Sequence, residues 1–400
     1  MIEQERFRQK RLTVDVVVCV EGFSPMGGHE RQAVNIALAL QQRGGRVAVL
    51  SRRPLFDGNI YVQELSQAGI PIVARGGITP KASASDWAHL TSVHPAEPVV
   101  LDREARVLKA AWGWERRTIE RSFLGTPVLH EIPLFGKIPV QGRDALTTLG
   151  YPVVHTTFGS PLGGVPVPGT RCAVMTTDGS AAGENSQVKF IPTMAWVALN
   201  NGRSLATCTM PCVMFAGRVV FAKGVDVLLK AVRLLGSDVQ VWIAGDGPDL
   251  DRLRADAGQF ESRVRFLGRL RPGDLAAEFA KCQVVAVPSL PSELGSEGVP
   301  TVVGEALAAG ARVVASGVGG IPYLARQLEG RNVLSLVAPG SVDDLARALQ
   351  KAIDSWDVTV PDSARKAYDD VLSPSAVIPQ YLQAYEEARS RLNALGGRRT

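Results

Sequence analysis

Two glutamates and two basic residues in the second half of the chain have the types and the spacing to do chemistry. Glu297 lies in a polar loop broken by Gly and Pro, and Glu305 follows after seven intervening residues on a helix-like segment. Arg218 and Lys223 come after an apolar run and are separated by four residues. Carboxylates beside an anion site suit hydroxyl groups, and a pair of cations neutralises an anionic leaving group as its bond breaks. These residues therefore predict a site for a phosphate-linked sugar or ribose.

Short apolar runs and glycine stops place the two glutamates in the order of a doubly wound sheet. Residues 284–287 form a buried run, a helix is predicted from Thr301 to its stop at Gly310, and residues 312–315 form the next buried run. Ligands of such sheets lie at the carboxyl ends of strands, against helix N-termini. Both glutamates are therefore expected to face that crevice.

The first half of the chain repeats this pattern. Residues 14–51 predict a strand, a helix and a strand, with Gly28 at the first junction, where a missing side chain lets the backbone approach a phosphate or a sugar. Two further strands are predicted to end in His130–Glu131 and in His155. Polar groups at the carboxyl ends of parallel strands line the crevice, so these side chains are also candidates for ligand contacts.

The stretch EGVPTVVGEALAAGARVVASGVGG, residues 297–320, resembles the donor-site signature of retaining glycosyltransferases with the GT-B fold, most closely the large family 4. The Arg-x4-Lys-Gly arrangement that begins at Arg218 is similar to the phosphate clamp of that family. The resemblance implies an α/β protein of two Rossmann-like doubly wound domains that face a cleft. We expect residues 1–194 to bind the acceptor and residues 195–374 to bind the donor.

A C-terminal segment, residues 375–400, completes the predicted domain plan. It is predicted to be helical beyond Pro379, with one face formed by Tyr381, Leu382, Tyr385 and Leu392. The resemblance implies that this helix crosses back to the first domain.

The resemblance also implies a role for each candidate residue. Glu305 is expected to bind the ribose, and Glu297 to bind the sugar and favour positive charge at the anomeric carbon. Arg218 and Lys223 are expected to stabilise the departing diphosphate. His155 is expected to contact the donor sugar, while His130 and Glu131 face the acceptor. The remaining expected donor contacts are Gly28, Gly217, Gly268, Arg269, Gly298, Val299 and Thr301.

The length, composition and charge of the chain limit the kinds of protein that it can be. The chain has 400 residues, 46% of them hydrophobic and 21% charged, which suits two globular domains. Its longest apolar runs are too short for a membrane span, and its charged first residues do not resemble a secretory signal, so a cytoplasmic location is expected. The net charge of +5 is dispersed and lacks interleaved aromatic residues. Nucleic-acid binding and membrane association are therefore not expected.

The expected ligands follow from the same observations. Five cysteines without a paired spacing argue against a zinc site, and no Asp-x-Asp motif lies in a convincing loop. We therefore expect metal independence, no cofactor, and two substrates: a nucleotide-sugar donor and an acceptor that the sequence does not identify.

Three alternatives on the same fold remain open from the sequence. A nucleotide-sugar 2-epimerase would convert the donor without an acceptor. A phosphorylase would need a cofactor lysine, which the sequence does not locate. A non-catalytic nucleotide-sugar binding protein would bind the donor without transferring or hydrolysing it, and the complete set of two cations and two glutamates argues against that reading.

Overall fold

The structure, a computed structural model, describes residues 11–20, 22–23, 28–79, 117–132, 150–157, 173–176, 188–195, 211–236, 238–258, 262–291 and 298–396. The chain divides into two compact units. The first contains the described residues up to Thr176, those of Ala181–Lys189 and those from Ile378 onward. The second contains those of Phe190–Val377.

The first unit is built on a seven-stranded sheet. Its strands and helices, with four short strands in two small sheets, are β1 (Leu12–Thr13), β2 (Val16–Val20), α1 (Gly28–Gln42), β3 (Val47–Ser51), β4 (Leu55–Phe56), α2 (Ile60–Gln67), β5 (Ile72–Ala74), β6 (Ile78–Thr79), β7 (Phe123–Leu124), β8 (Val128–Ile132), β9 (Val153–Thr157), β10 (Ala173–Thr176) and β11 (Val188–Phe190).

The order of the large sheet is β11-β10-β9-β8-β2-β3-β5, and the pairings among β2, β3, β5, β8, β9 and β10 are parallel. Strands β2, β3 and β8 are buried along their whole length. Strands that are buried along their whole length form where both faces of a parallel sheet are covered. The strand order reverses between β2 and β8, which is where ligands of doubly wound sheets bind.

The second unit contains a six-stranded parallel sheet of order β14-β13-β12-β15-β16-β17. Its elements are β12 (Cys212–Ala216), a 3₁₀ turn (Phe221–Lys223), α3 (Val225–Val232), β13 (Gln240–Ala244), α4 (Leu250–Ala257), β14 (Val264–Gly268), α5 (Pro272–Phe279), β15 (Val284–Val287), α6 (Thr301–Ala309), β16 (Arg312–Ser316), α7 (Ile321–Gln327), β17 (Leu334–Val337), α8 (Val342–Asp354) and α9 (Val360–Val371).

Successive side chains along the strands of the second unit point to opposite faces of the sheet, and each face forms a core. On one face, Met214 of β12 packs in a cluster with residues of α6, α7 and α9. On the other face, Val213 and Phe215 pack with residues of α3, α4 and α8. Because each face is covered by helices, the unit is a three-layer α/β/α structure, and its strand order reverses between β12 and β15.

The last helix, α10 (Pro374–Gly396), begins earlier than the sequence predicts, because Pro379 lies inside it. Val377 and Ile378 are fully buried, and this packing offsets the backbone hydrogen bond that proline cannot donate. The predicted apolar face is also wrong at Leu382, which is 40% exposed, whereas Tyr381 and Tyr385 are buried. From Ile378 onward the helix belongs to the first unit.

Candidate functional site

The two predicted cations lie directly after β12, at the strand-order reversal of the second unit. Arg218 is exposed and comes two residues after the end of β12, and Lys223 ends the 3₁₀ turn that leads to α3. Burial lowers the pKa of Lys223 to about 8, and the positive charge of Arg218 is the second cause. Lys223 therefore sits where an incoming anion would stabilise its charged form.

Three glycines, Gly217 just beyond β12, Gly245 just beyond β13 and Gly268 at the end of β14, continue the hydrogen-bonded ladder. The N–H of Gly217 donates to Ala244 at 3.0 Å, and the N–H of Gly245 donates to Gly268 at 2.8 Å. A Cβ on Gly245 would lie 1.8 Å from the carbonyl oxygen of Gly217, so the two backbones meet closely. The carboxyl edge of the sheet at β12 and β13 therefore presents bare backbone.

The turn that carries Lys223 is fixed to the segment after β15. The N–H of Leu290 donates to the carbonyl of Ala222 at 2.9 Å. Gly224 adopts φ 66°, and a Cβ there would lie 2.0 Å from the carbonyl oxygen of Pro288. The turn after β12 and the segment after β15 are therefore held against each other across the strand-order reversal.

Helix α6 supplies the third part of the candidate site. Gly298 is half-buried, Val299 is buried, and Thr301 is the first residue of the helix after Pro300. The helix begins without a side-chain cap, so its first N–H groups are directed at the region that precedes it. Glu305 is half-buried in the middle of the helix. Glu297 lies outside the described residues.

The edge of the second sheet carries the two predicted base contacts. Gly268 has φ 64° and ends β14, and Arg269 follows with its guanidinium 3.8 Å from the carboxylate of Asp246. The Asp246 carboxylate also accepts the N–H of Gly247 at 2.8 Å. This ion pair links the ends of β13 and β14, and its side chains are more than half exposed.

His130 of the first unit lies inside its strand and not at the end, which differs from the sequence expectation. It is fully buried in β8, where its Nδ1 is 2.8 Å from the Tyr385 hydroxyl and its Nε2 is 2.7 Å from the Thr156 hydroxyl. Burial lowers its pKa from 6.5 to about 3, so the ring is neutral near pH 7. One ring nitrogen then donates and the other accepts. Its observed contacts are to strand β9 and to helix α10.

This arrangement predicts that the first unit loses stability in mild acid. Between its ordinary pKa of 6.5 and the folded-state pKa of about 3, His130 binds a proton in the unfolded chain and not in the folded one. The free energy of unfolding should then fall by about 1.4 kcal/mol for each pH unit below the unfolded pKa. Urea unfolding measures this fall when wild type and His130→Gln are each unfolded near neutral pH and about two pH units lower. Identical pH dependence in the two proteins would contradict the prediction.

His155 and Glu131 occupy neighbouring strands, where they are paired in register. His155 is fully buried in the middle of β9, so the sequence expectation that the strand ends there is wrong. Glu131 is also buried, and its carboxylate forms an ion pair with Arg52. The side chains of this pair are only 4% and 11% exposed.

Arg52 is a residue that the sequence reasoning missed. It follows β3 directly, and its N–H donates to the carbonyl of Val20 at the end of β2. Its position after a buried strand was the available signal, the same one that singled out Arg218. Gly28, the other candidate of the first unit, is the first residue of α1.

A family model matches part of the second unit. Residues 210–355 match the model described as glycosyl transferases group 1. We call these residues the group 1 domain. The match covers β12 to α8 without residues 356–377, and it contains Arg218, Lys223, the three glycines and Glu305 of the candidate site.

Curated relatives of the chain carry transferase names. The 2-deoxystreptamine glucosyltransferase of Streptomyces kanamyceticus is 34% identical over 151 residues, which is 36% of each chain. The phosphatidyl-myo-inositol mannosyltransferase of Mycobacterium leprae is 37% identical over 141 residues, 34% of this chain and 36% of the relative. The chain therefore spans little more than a third of the length of these two relatives.

Solved structures resemble nearly the whole chain in fold. HepE of Anabaena in complex with UDP gives a TM-score of 0.63 at 17% identity and covers 93% of this chain and 99% of its own. The sucrose-phosphate synthase of Thermosynechococcus elongatus gives a TM-score of 0.63 at 17% identity, with coverages of 93% and 98%. The predicted fold class, α/β with two Rossmann-like units of the GT-B type, is confirmed.

Two further observations concern the described part of the chain. Its residues contain no cluster of three or more His, Cys, Asp or Glu side chains that could hold a metal ion. Among its helices, none has the length and hydropathy of a membrane span.

Proposed function

We propose that this chain is a retaining glycosyltransferase that moves a sugar from a nucleotide diphosphate sugar to an acceptor hydroxyl without a metal ion. The observation that carries the proposal is the pair of cations at the strand-order reversal of the group 1 domain. Lys223 is held there by backbone contacts on both sides of the reversal, and its pKa is lowered to about 8 first by burial and then by the positive charge of Arg218.

The proposed chemistry assigns the diphosphate to the cations and to helix α6. As the bond to the sugar breaks, negative charge builds on the leaving oxygen, and Arg218, Lys223 and the N–H groups before and at Thr301 stabilise it. Pro300 has no N–H and can only shape this segment. The acceptor hydroxyl attacks the face that the leaving group vacates, and the leaving oxygen takes its proton. This route retains the anomeric configuration without a separate base.

The two glutamates bind hydroxyl groups in this proposal. Glu305, half-buried on α6, binds the ribose, and Glu297 binds the donor sugar and favours positive charge at the anomeric carbon. The bare backbone at Gly217 and Gly268 gives the nucleotide a close approach, and Arg269 lies beside the base. Gly28 is proposed to line the sugar side, whereas the burial of His130, His155 and Glu131 inside the sheet limits these three residues to supporting that side from within the first unit.

The names of relatives support a nucleotide-sugar donor and leave its base open. One curated relative is named as a GDP-mannose-dependent mannosyltransferase, and HepE was solved with UDP and with UDP-glucose. The curated matches cover 28% to 44% of the chain, so the acceptors in their names are not carried over to it. We propose the second unit as the donor domain, the first as the acceptor domain, and a cytoplasmic enzyme without a cofactor.

Removing the Glu305 carboxylate should mainly weaken donor binding. The carboxylate would accept two ribose hydroxyls, so we expect Glu305→Ala to raise the KM for the donor by about tenfold or more, with a smaller change in kcat. Glu329→Ala, at an exposed position of the same unit, is the matched control. An unchanged donor KM in Glu305→Ala would exclude the ribose role.

Thermal shift with UDP, GDP, ADP and dTDP and their common sugars, each with and without EDTA, tests the donor site. One nucleotide should raise the midpoint of wild type and of Glu329→Ala, but not of Glu305→Ala. A shift that EDTA abolishes would exclude metal independence, and no shift with any nucleotide would exclude the donor site.

Product analysis then separates the proposed transferase from a 2-epimerase and from a non-catalytic binding protein. With the selected donor and water as a slow acceptor, NMR of the first-formed sugar should show the anomeric configuration of the donor. An inverted sugar would exclude retention. An epimeric nucleotide sugar would establish a 2-epimerase, and tight donor binding without transfer or hydrolysis would establish a binding protein.

A further inference from the structure

The second unit contains two cysteines whose sulfur atoms are in contact. The Sγ atoms of Cys212 and Cys282 are 3.0 Å apart, and both residues are buried. The Cys282 sulfur also lies 3.4 Å from the carbonyl oxygen of Glu278, to which its thiol donates. A disulfide bond is about 2.0 Å long, so the two sulfurs need to approach by only about 1 Å.

The backbone around this thiol pair is held by the central strands of the sheet. Cys212 is the first residue of β12, and Cys282 precedes β15, the parallel neighbour of β12. The N–H of Gln283 donates to the carbonyl of Cys212 at 3.2 Å. The register pairs Val213 with Val284, so Cys282 lies one position before the residue opposite Cys212. A strand spacing of about 4.8 Å and an offset of about 3.3 Å give a Cα separation of about 6 Å, inside the range of about 4.4–6.8 Å that disulfides use. The strands therefore already supply a suitable backbone separation.

We propose that Cys212 and Cys282 form a redox modification site that a small two-electron oxidant, hydrogen peroxide, converts to a disulfide. The sulfur of one cysteine attacks a peroxide oxygen, the O–O bond breaks, and one water leaves a sulfenic acid behind. The second thiol attacks that sulfur, the S–O bond breaks, and a second water leaves. The two thiols lose two electrons and two protons in total, and the peroxide is reduced to two waters.

The disulfide would close a loop that contains half of the candidate donor site. The two cysteines are 70 positions apart, and the loop between them carries β13, β14 and the turn with Lys223. Cross-links across long loops stabilise a protein mainly by restricting its unfolded chain. Cys212 lies at the amino end of β12, opposite the end that Gly217 follows, so oxidation should stabilise the unit without blocking the site.

Peroxide treatment followed by a mass map of the thiols tests this site. The protein is oxidised, unreacted thiols are alkylated in denaturant, and the chain is digested without reductant. We expect a peptide pair joined through Cys212 and Cys282 and lighter by two hydrogen atoms. The thermal midpoint should rise by about 5–10 °C and return on treatment with dithiothreitol. Cys212→Ser and Cys282→Ser should show neither the link nor the rise.

The wild-type mass map decides the outcome even if a serine variant fails to fold. Alkylation of both cysteines after oxidation, a link to Cys208 or to another cysteine, or conversion to sulfinic acid without a link would each overturn the proposal. A Cys212–Cys282 link that leaves the midpoint unchanged would overturn it as well, because the cross-link would then not restrict the unfolded chain.

Discussion

Replacing Lys223 by alanine is expected to lower kcat for sugar transfer by about 10² or more, because the departing diphosphate loses a charged partner in the transition state. Arg218→Ala should have a comparable effect, since the two cations act on the same charge. Lys230→Ala is the matched control, because this lysine is 61% exposed on α3 and forms an ion pair with Asp226 of the same helix. Steady-state assays with saturating donor measure the effect. Normal turnover in either cation variant would exclude a role of Arg218 and Lys223 in stabilising the departing diphosphate.

The pH dependence of donor affinity gives an independent test of the same lysine. Its pKa of about 8 in the free protein should rise when the diphosphate binds, so the contribution to affinity is complete below pH 8. As pH rises above this value, affinity should fall by about tenfold per pH unit until the pKa of the complex is reached. Lys223→Arg keeps its charge at these pH values and should lack the fall. The same fall in both proteins would assign it to another group.

Adding one methyl group at Gly224 is expected to disturb both stability and donor binding. Gly224→Ala would place a Cβ 2.0 Å from the carbonyl oxygen of Pro288 and force φ 66° on an alanine. Strain of this kind should lower the free energy of unfolding by about 2–4 kcal/mol. Relief of the clash would move the turn that carries Lys223, so nucleotide affinity should fall as well.

Gly258→Ala is the control for that substitution. Gly258 has φ −51° at the end of α4, and a Cβ there would meet nothing within 4 Å. This variant should match wild type or exceed it slightly in stability, because alanine restricts the unfolded chain more than glycine does. Thermal midpoints and nucleotide titrations of the two variants decide the comparison. Equal thermal midpoints and equal nucleotide affinities in Gly224→Ala and Gly258→Ala would show that the close approach of Gly224 to Pro288 is not rigid.

Local signals were sufficient to predict the framework of the second unit. Buried apolar runs gave β12 and β15, and the glycine after Ala309 marked the end of α6, where Gly310 adopts φ 91°. The cations could be predicted because they follow a strand that the sequence makes evident. The structure gives the positions of the two cations, and their role in catalysis is a proposal.

Contacts between distant parts of the chain could not be predicted from the sequence. The need for glycine at position 224 comes from Pro288, and the ion pair of Glu131 comes from Arg52, 79 positions away. His130 and His155 read as strand ends because a polar residue usually interrupts an apolar run. The structure instead buries both rings inside the sheet, where His130 gains two hydroxyl partners.

Helix α10 has a consequence for the order in which the protein is made. Its residues from Ile378 onward complete the first unit, where Tyr385 meets His130 and Arg389 donates to the carbonyl of Asp15 at 3.2 Å. Domains usually fold in the order in which the ribosome releases them. Here the first unit has the strands of its large sheet early, but it lacks the packing of this helix until residues 378–396 have been synthesised. The second unit ends at Val377, so it is expected to fold first on the ribosome.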